Sequence, residues 1–191
     1  MRLRIPLIAT LLATTTFAAA PLGQTAAAAD DYDTVACKSG NLTITFAHAF
    51  TTARQPVKVS GTGAVNRCLH FGDEPTPITS GTLKIEGAVP AACHQPIGPG
   101  NVKVTVTWNT GTRTAIDDVT FRSTGNHAAT AQLDGGRISD GPFKGGVLGV
   151  DLTNSGFSGL LLTSCSLNDS DAQEYTVTIN RFAVGDAEFS I

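Results

Sequence analysis

The clearest hydrophobic pattern in the chain runs from Val102 to Phe121. Apolar side chains occupy every second position up to Trp108, and polar ones lie between them, as in VKVTVTW. A period of two is typical of a strand that buries one face. The turn-forming segment 109–111 (Asn-Thr-Gly) follows, and the alternation then resumes up to Phe121. The pattern predicts an antiparallel hairpin at the centre of a β-sheet domain, with Trp108 in its core.

The same alternation recurs in shorter runs on both sides of this hairpin. It predicts strands at 41–46, 57–60, 83–86 and 175–179, weaker strands at 129–133 and 137–139, and apolar segments at 142–152, 160–162 and 182–191. Glycines at 61 and 63 indicate a bend or bulge, and Asp-Gly-Gly at 134–136 indicates a hairpin. The proline-containing segment from Val89 to Gly100 is predicted as a loop.

Short alternating strands separated by turns are typical of two-layer antiparallel β-sandwiches and of open barrels. No window of the sequence has ten residues of helical periodicity, and no linker, internal repeat or low-complexity tract follows residue 29. About 160 residues are enough for one domain with a hydrophobic core. We therefore predict a single all-β domain over residues 30–191, an antiparallel β-sandwich or an open barrel.

The first 29 residues have the composition of an export signal. Arg2 and Arg4 precede an apolar segment at 5–20, and four alanines stand before Asp30, which matches the A-x-A cleavage pattern. The alternative is a membrane anchor, but prolines and threonines interrupt the segment, and a span needs ~20 continuous apolar residues. We expect a signal peptide at 1–29 and a secreted, extracellular mature chain without a membrane span.

The charge of the mature chain narrows the range of partners. Without Arg2 and Arg4, 11 of the 13 basic residues remain against 16 acidic ones, which gives a net charge of −5. Lysine and arginine form no cluster along the sequence. Nucleic acids and anionic membrane surfaces require concentrated positive charge, so we expect neither as a partner.

Four cysteines follow the signal segment, namely Cys37, Cys68, Cys93 and Cys165. An even number of cysteines in an exported chain predicts disulfides. Four cysteines allow three connectivities, and their spacing does not select one. We favour Cys37–Cys68 together with Cys93–Cys165, because each pair would then join the ends of one group of strands.

A metal site is the alternative use of these cysteines. Cys68 and His70 are two residues apart, and Cys93 is followed by His94. Zinc sites usually have C-x2-C or H-x3-H spacings, which this sequence lacks. A blue-copper site would use a methionine, and the only methionine is Met1. We therefore expect no metal and no cofactor.

Two motifs carry a resemblance to known proteins. They are TWNTG at 107–111 and GRISDGPFKG at 136–145. With the four-cysteine layout, they resemble a group of small secreted actinomycete proteins, in which a W-N-x-G strand turn precedes a G-x-x-x-x-G-x-F-x-G segment and a late cysteine. The resemblance covers most of the mature chain. It implies export, an all-β fold and two disulfides, and it supplies no activity.

The sequence contains only fragments of catalytic motifs. Ser158 lies in Gly-Phe-Ser-Gly, but Leu160 replaces the second glycine of the G-x-S-x-G elbow, and no helix is predicted there. The acid pairs at 73–74 and 117–118 are adjacent in sequence, whereas glycosidases use carboxylates about 5–10 Å apart, usually from different strands. No spacing selects a serine triad partner among the four histidines His48, His70, His94 and His127. We expect no enzyme activity.

Candidate ligand sites are equally incomplete. The polar segment 168–171, with Glu174 after it, lacks the glycine and the twelve-residue frame of a calcium loop. The glycines at 145–146 lack the lysine and the helix of a phosphate-binding loop. Aromatic residues make up 6% of the chain, which has one tryptophan, Trp108, and two tyrosines, Tyr32 and Tyr175. This disfavours a flat aromatic sugar platform without excluding a polar pocket.

Three functional hypotheses follow. The first and favoured one is a non-catalytic extracellular sandwich that binds a protein or an envelope component. The second is a secreted inhibitor or small-ligand carrier that uses the segment 89–100, because a loop constrained at Cys93 loses less entropy on binding. The third is a hydrolase whose acidic residues come together only in three dimensions.

Overall fold

The computed structural model describes residues 33–72, 77–93, 95–124, 130–153 and 172–186. Within these ranges the chain forms eight β-strands and no helix. The strands are β1 (Thr34–Phe46), β2 (Gln55–Phe71), β3 (Ser80–Ala91), β4 (Gly100–Trp108), β5 (Arg113–Thr124), β6 (Thr130–Asp140), β7 (Val147–Thr153) and β8 (Gln173–Gly185). The predicted all-β class is confirmed.

The eight strands form a closed antiparallel barrel. Each strand pairs with the next along the chain, and β8 pairs with β1 from Thr34 opposite Gly185 to Phe46 opposite Gln173. The predicted sandwich is therefore wrong. The predicted open barrel differs from the structure because the observed barrel is closed. The reason is physical: alternation shows which face of a strand is buried, but it does not show whether the first and last strands of a twisted sheet meet.

Inward-facing side chains fill the barrel, as expected for eight strands, which enclose a space just wide enough for side chains. Trp108 is 2% exposed, which confirms its predicted core position. Its indole N–H donates to the buried Thr114 hydroxyl at 2.9 Å, and that hydroxyl donates to the Pro142 carbonyl at 3.3 Å. The largest fully buried side chains are Phe46, Phe50, Phe121, Phe182, Leu42, Ile44, Ile97, Ile116, Leu133, Ile138 and Leu148.

The predicted central hairpin is confirmed as β4 and β5. Thr107 lies opposite Arg113, and at the turn the Gly111 amide donates to the Trp108 carbonyl at 2.9 Å. The register shifts by one residue between Val102 and Val104. Asp118, on the facing strand, has a φ of 57°. A bulge therefore bends the hairpin in the half that lies away from the turn.

Two glycine-based predictions are wrong. The pairing of β1 with β2 continues without a break past the glycines at 61 and 63, because the missing side chains allow the strands to lie close together. A Cβ on Gly63 would stand 2.3 Å from the Asn41 carbonyl oxygen. The predicted hairpin at 134–136 is instead part of β6, where the left-handed Gly135 and Gly136 lie across from the bulge at Asp118.

The predicted loop from Val89 to Gly100 is shorter than expected, because Val89–Ala91 extend β3 and pair with β2. The rest of the loop folds over one end of the barrel. Ile97 is buried in it, and the Arg54 guanidinium donates to the Pro96 carbonyl at 2.9 Å and also to the Gly98 carbonyl. Cross-linking by hydrogen bonds thus fixes this loop against the core.

The two motifs behind the resemblance meet at the opposite end of the barrel. The Asn109 side chain accepts from the Thr79 amide at 2.8 Å and donates to the Pro77 carbonyl at 2.8 Å. Phe143, from the second motif, is buried, and its ring centre lies 6.2 Å from that of Trp108. Both motifs therefore have an architectural role in closing this end.

The disulfide Cys37–Cys68 is confirmed, and it joins directly opposed residues of β1 and β2. Cys93 also belongs to a disulfide. Cys165 lies outside the described residues, so the pairing Cys93–Cys165 stays a prediction, as does the signal peptide at 1–29. Among the described residues, none form a helix that could serve as a membrane span.

Candidate functional site

A trough of about 340 Å³ lies on the outer surface of the barrel over β5 to β8. One wall is a row of polar side chains at matching register positions on the four strands: Arg122, Gln132, Asp151 and Arg181. Their outward direction agrees with strand alternation, since each has a buried neighbour on its strand, namely Phe121, Leu133, Leu152 and Phe182. The sequence therefore places one polar residue from each strand on the same line across the sheet.

Hydrogen bonds connect this row from end to end. Arg181 pairs with Asp151 at 3.0 Å, and the Gln132 amide donates to Asp151 at 3.5 Å. Arg122 Nη2 donates to Gln132 at 3.2 Å and to the Asp134 carboxylate, one row further on, at 2.9 Å. Charge-assisted bonds of this kind fix side-chain orientation as well as adding energy. These hydrogen bonds therefore hold the donors and acceptors of the wall in fixed positions.

The floor of the trough is made of small residues. Gly149 and Ala183 lie opposite each other on β7 and β8, and Val147 and Gly185 continue the floor toward the barrel end. A Cβ on Gly149 would have no atom within 4 Å, so the space above this residue is open. A glycine inside a strand often marks a place where a ligand approaches the backbone closely.

Thr34 stands at the end of the trough beside Gly185. It is 1% exposed, and its hydroxyl has no hydrogen-bond partner among the described residues. An unsatisfied buried hydroxyl costs roughly 1–3 kcal/mol, so such groups in native proteins need an explanation. The adjacent Asp186 carboxylate accepts from the Asp33 amide at 3.0 Å.

The two histidines within the described residues, His48 and His70, have different surroundings. The His70 side chain is 5% exposed, contacts the Asp33 carboxylate and packs its ring against Phe143. His48 donates through Nδ1 to the neighbouring Ala49 carbonyl at 2.9 Å. The alternative metal pair with Cys68 is wrong, because that sulfur is in a disulfide. Within the described ranges, no group of three or more His, Cys, Asp or Glu side chains could hold a metal ion.

The adjacent acids Asp117 and Asp118 have separate environments. Asp117 pairs with Lys103 at 2.8 Å, and the hydrogen bond from Lys103, followed by one from Ser139, lowers the pKa of the Asp117 carboxyl. Asp118 occupies the bulge with a positive φ. Because Ile116 and Val119 on either side are both buried, the bulge interrupts the alternation and leaves both acids on the outer face of the sheet. Neither acid is among the residues that line the trough.

The remaining sequence candidates do not converge either. Gly145 and Gly146 close the turn before β7 by donating their amides to the carbonyls of Ile138 and Phe143, each at 3.0 Å. Tyr175 is partly buried against Phe46, and this burial raises the pKa of its phenol. Glu174 is exposed on β8. Ser158, His94, His127, Tyr32 and the segments 73–74 and 168–171 lie outside the described residues.

Sequence reasoning missed the trough because none of its residues belongs to a catalytic or ligand-binding motif, and Asp134 stands out only as part of the turn signal at 134–136. Arg122, Asp134 and Asp151 look like ordinary outward-facing residues of half-buried strands. One available signal was Gly149, a glycine between Leu148 and Val150 in the middle of a strand. Its meaning depends on its neighbours across the sheet, which the sequence alone does not identify.

Comparisons with protein-family models, with curated proteins and with solved structures found no match to this chain. The resemblance to secreted actinomycete proteins therefore stays a prediction. The geometry of the trough is the basis for a functional proposal.

Proposed function

We propose that this protein is a secreted, non-catalytic binding protein that holds an extracellular protein or cell-envelope component in the trough over β5 to β8. The observation that carries the proposal is the hydrogen-bonded polar row from Arg122 to Arg181, which lines an open trough beside Gly149. Thr34, whose buried hydroxyl has no partner among the described residues, lies at the end of the same trough. An ordered polar wall beside a glycine in mid-strand lets a ligand with hydrogen-bonding groups approach the backbone closely.

Secretion is supported by the Cys37–Cys68 disulfide, because structural disulfides persist mainly in oxidising environments outside the cytoplasm. The closed sheet supports a binding role, since a rigid scaffold keeps wall and floor in place before the ligand arrives. The inhibitor hypothesis based on residues 89–100 receives less support. Part of that segment is strand, and Ile97 and Cys93 within it are buried.

The experiment compares two variants that add the same side chain at outward-facing positions. Gly149→Leu places its side chain in the trough, where a Cβ meets no atom within 4 Å. Thr107→Leu adds the same side chain at an exposed position of β4, opposite Arg113 and at the other end of β5 from the trough residue Arg122. Protein purified from culture supernatant is mixed with cell-envelope and supernatant fractions, and retained material is identified by mass spectrometry. We expect Gly149→Leu to lose retention and Thr107→Leu to keep it. Equal retention of both variants would contradict the proposal.

A further inference from the structure

We propose that the trough binds a neutral saccharide, and this inference rests on the function proposed above. A second depression, over β1 to β3, has a similar volume of about 360 Å³. It carries no buried unsatisfied side-chain atom, since within the described residues Thr34 alone has that property. The trough over β5 to β8 is therefore the stronger candidate site, and its chemistry selects the ligand class.

The charge balance of the trough disfavours strongly charged ligands. Two arginines, Arg122 and Arg181, face three aspartates, Asp134, Asp151 and Asp186. A polyanion would lie against the carboxylates, and a polycation would lie against the guanidinium groups. Each mismatch places like charges close together, which is costly in a partly desolvated site. A neutral ligand meets both kinds of group without this penalty.

The wall offers adjacent donors and acceptors, which is the pattern that hydroxyl groups need. Arg122 uses Nη2 for its contacts with Gln132 and Asp134, so Nη1 and Nε keep N–H groups for a ligand. Asp134 accepts from Arg122 through Oδ2, which leaves Oδ1 as an acceptor. A hydroxyl both donates and accepts. Two neighbouring sugar hydroxyls can therefore bridge this guanidinium and this carboxylate.

The floor and the far end suit the rest of a sugar ring. Val147, Gly149 and Ala183 form an apolar surface that can contact the C–H groups of a pyranose, and Gly149 lets the ring approach the backbone. At that end the Asp186 carboxylate lines the trough and can accept from a ligand hydroxyl. The volume of about 340 Å³ lies in the lower part of the range for small-molecule sites, about 300–1,000 Å³, which suits a short saccharide.

The test is an NMR titration of the isotope-labelled protein with four neutral tetrasaccharides, built from glucose, mannose, galactose or N-acetylglucosamine. We expect at least one to shift the backbone amides of Gly149, Asp151 and Ala183. We expect Gly149→Leu and Arg122→Met to weaken that binding at least tenfold. Thr107→Leu should bind as the unmodified protein does. A tetraglutamate peptide, a polyanion of similar length, should cause no shift at these amides.

Three outcomes overturn the inference: no shift with any tetrasaccharide at millimolar concentration, shifts confined to amides outside the trough, or stronger binding of tetraglutamate. The retention experiment separates this failure from failure of the proposed function. If Gly149→Leu abolishes retention on envelope fractions while all four saccharides fail, the ligand is of another class and the binding function stands. If Gly149→Leu changes neither measurement, both proposals fail.

Discussion

At the scale of single residues, hydrogen bonds inside the barrel link the two sequence motifs. The Trp108 indole, the Thr114 hydroxyl and the Pro142 carbonyl form a continuous chain of hydrogen bonds. The alternation around Trp108 predicts that the ring is buried. It does not predict the partner of the indole N–H, because Thr114 looks like any threonine in a half-buried strand.

Replacement of Thr114 by valine should lower the free energy of unfolding by about 2–3 kcal/mol. Valine keeps the shape but leaves the buried indole N–H without its acceptor and removes the bond to the partly buried Pro142 carbonyl. The matched control is Thr43→Val, which removes a hydroxyl bonded to Thr176 on the outer face and should change stability by less than about 0.5 kcal/mol. Urea denaturation measures both. Equal losses in the free energy of unfolding would show that the buried hydrogen bonds stabilise the protein no more than the exposed one.

The Asp117 carboxyl should titrate below its ordinary pKa of 3.8, because Lys103 and Ser139 stabilise its charged form. A lowered pKa in the folded state means that its contribution to stability is complete above the unfolded-state pKa and is lost as the pH falls through the folded-state pKa. Lys103→Met should raise the pKa toward 3.8. Lys58→Met, which removes an exposed cation on β2, should leave the Asp117 pKa unchanged in a carboxyl carbon NMR titration.

At the scale of elements, periodicity located parts of most described strands but not their ends. Several strands proved longer than their alternating segments, because pairing with both neighbours continues through glycines and prolines. Val89–Ala91 stay in β3 because β2 supplies partners for them. A glycine within an alternating run therefore has two meanings, a bend or a close approach, and only the neighbouring strand decides between them.

Two glycine-to-alanine substitutions test this distinction. Gly63→Ala should destabilise the protein by roughly 1–3 kcal/mol, because the new Cβ would meet the Asn41 carbonyl of β1 and force the strands apart. Gly149→Ala should be neutral or stabilise by up to about 1 kcal/mol, since its Cβ enters open space and alanine restricts the unfolded chain. Thermal unfolding compares the stabilities of the two variants directly. If Gly63→Ala were more stable than Gly149→Ala, the close approach of β1 and β2 would be contradicted.

At the scale of the whole molecule, closure of the sheet creates both the fold and the candidate site. Neither was predictable from alternation, because β1 and β8 lie far apart in sequence and show the same pattern as any half-buried strand. The row from Arg122 to Arg181 depends on the registers of three strand pairs. A shift of one residue in any pair would turn a polar residue of the row into the core.

Closure predicts a specific pattern of amide hydrogen exchange. In β1, some amides bond to β2 and the others to β8, so we expect slow exchange along the whole strand. The exposed turn residue Thr110 provides a fast-exchanging reference. Fast exchange at every second amide of β1 would show an edge strand, as in a sandwich, and would contradict the barrel.

The pairing of Thr34 with Gly185 also has a practical consequence for protein engineering. Asp33 and Asp186 are joined by a hydrogen bond, so a short peptide linker could connect them, and new termini could be opened at the turn around Thr110 and Gly111. Such a circularly permuted chain would keep all eight strands in their cyclic order. Fluorophores or affinity tags could then be attached at the new termini without interrupting any strand.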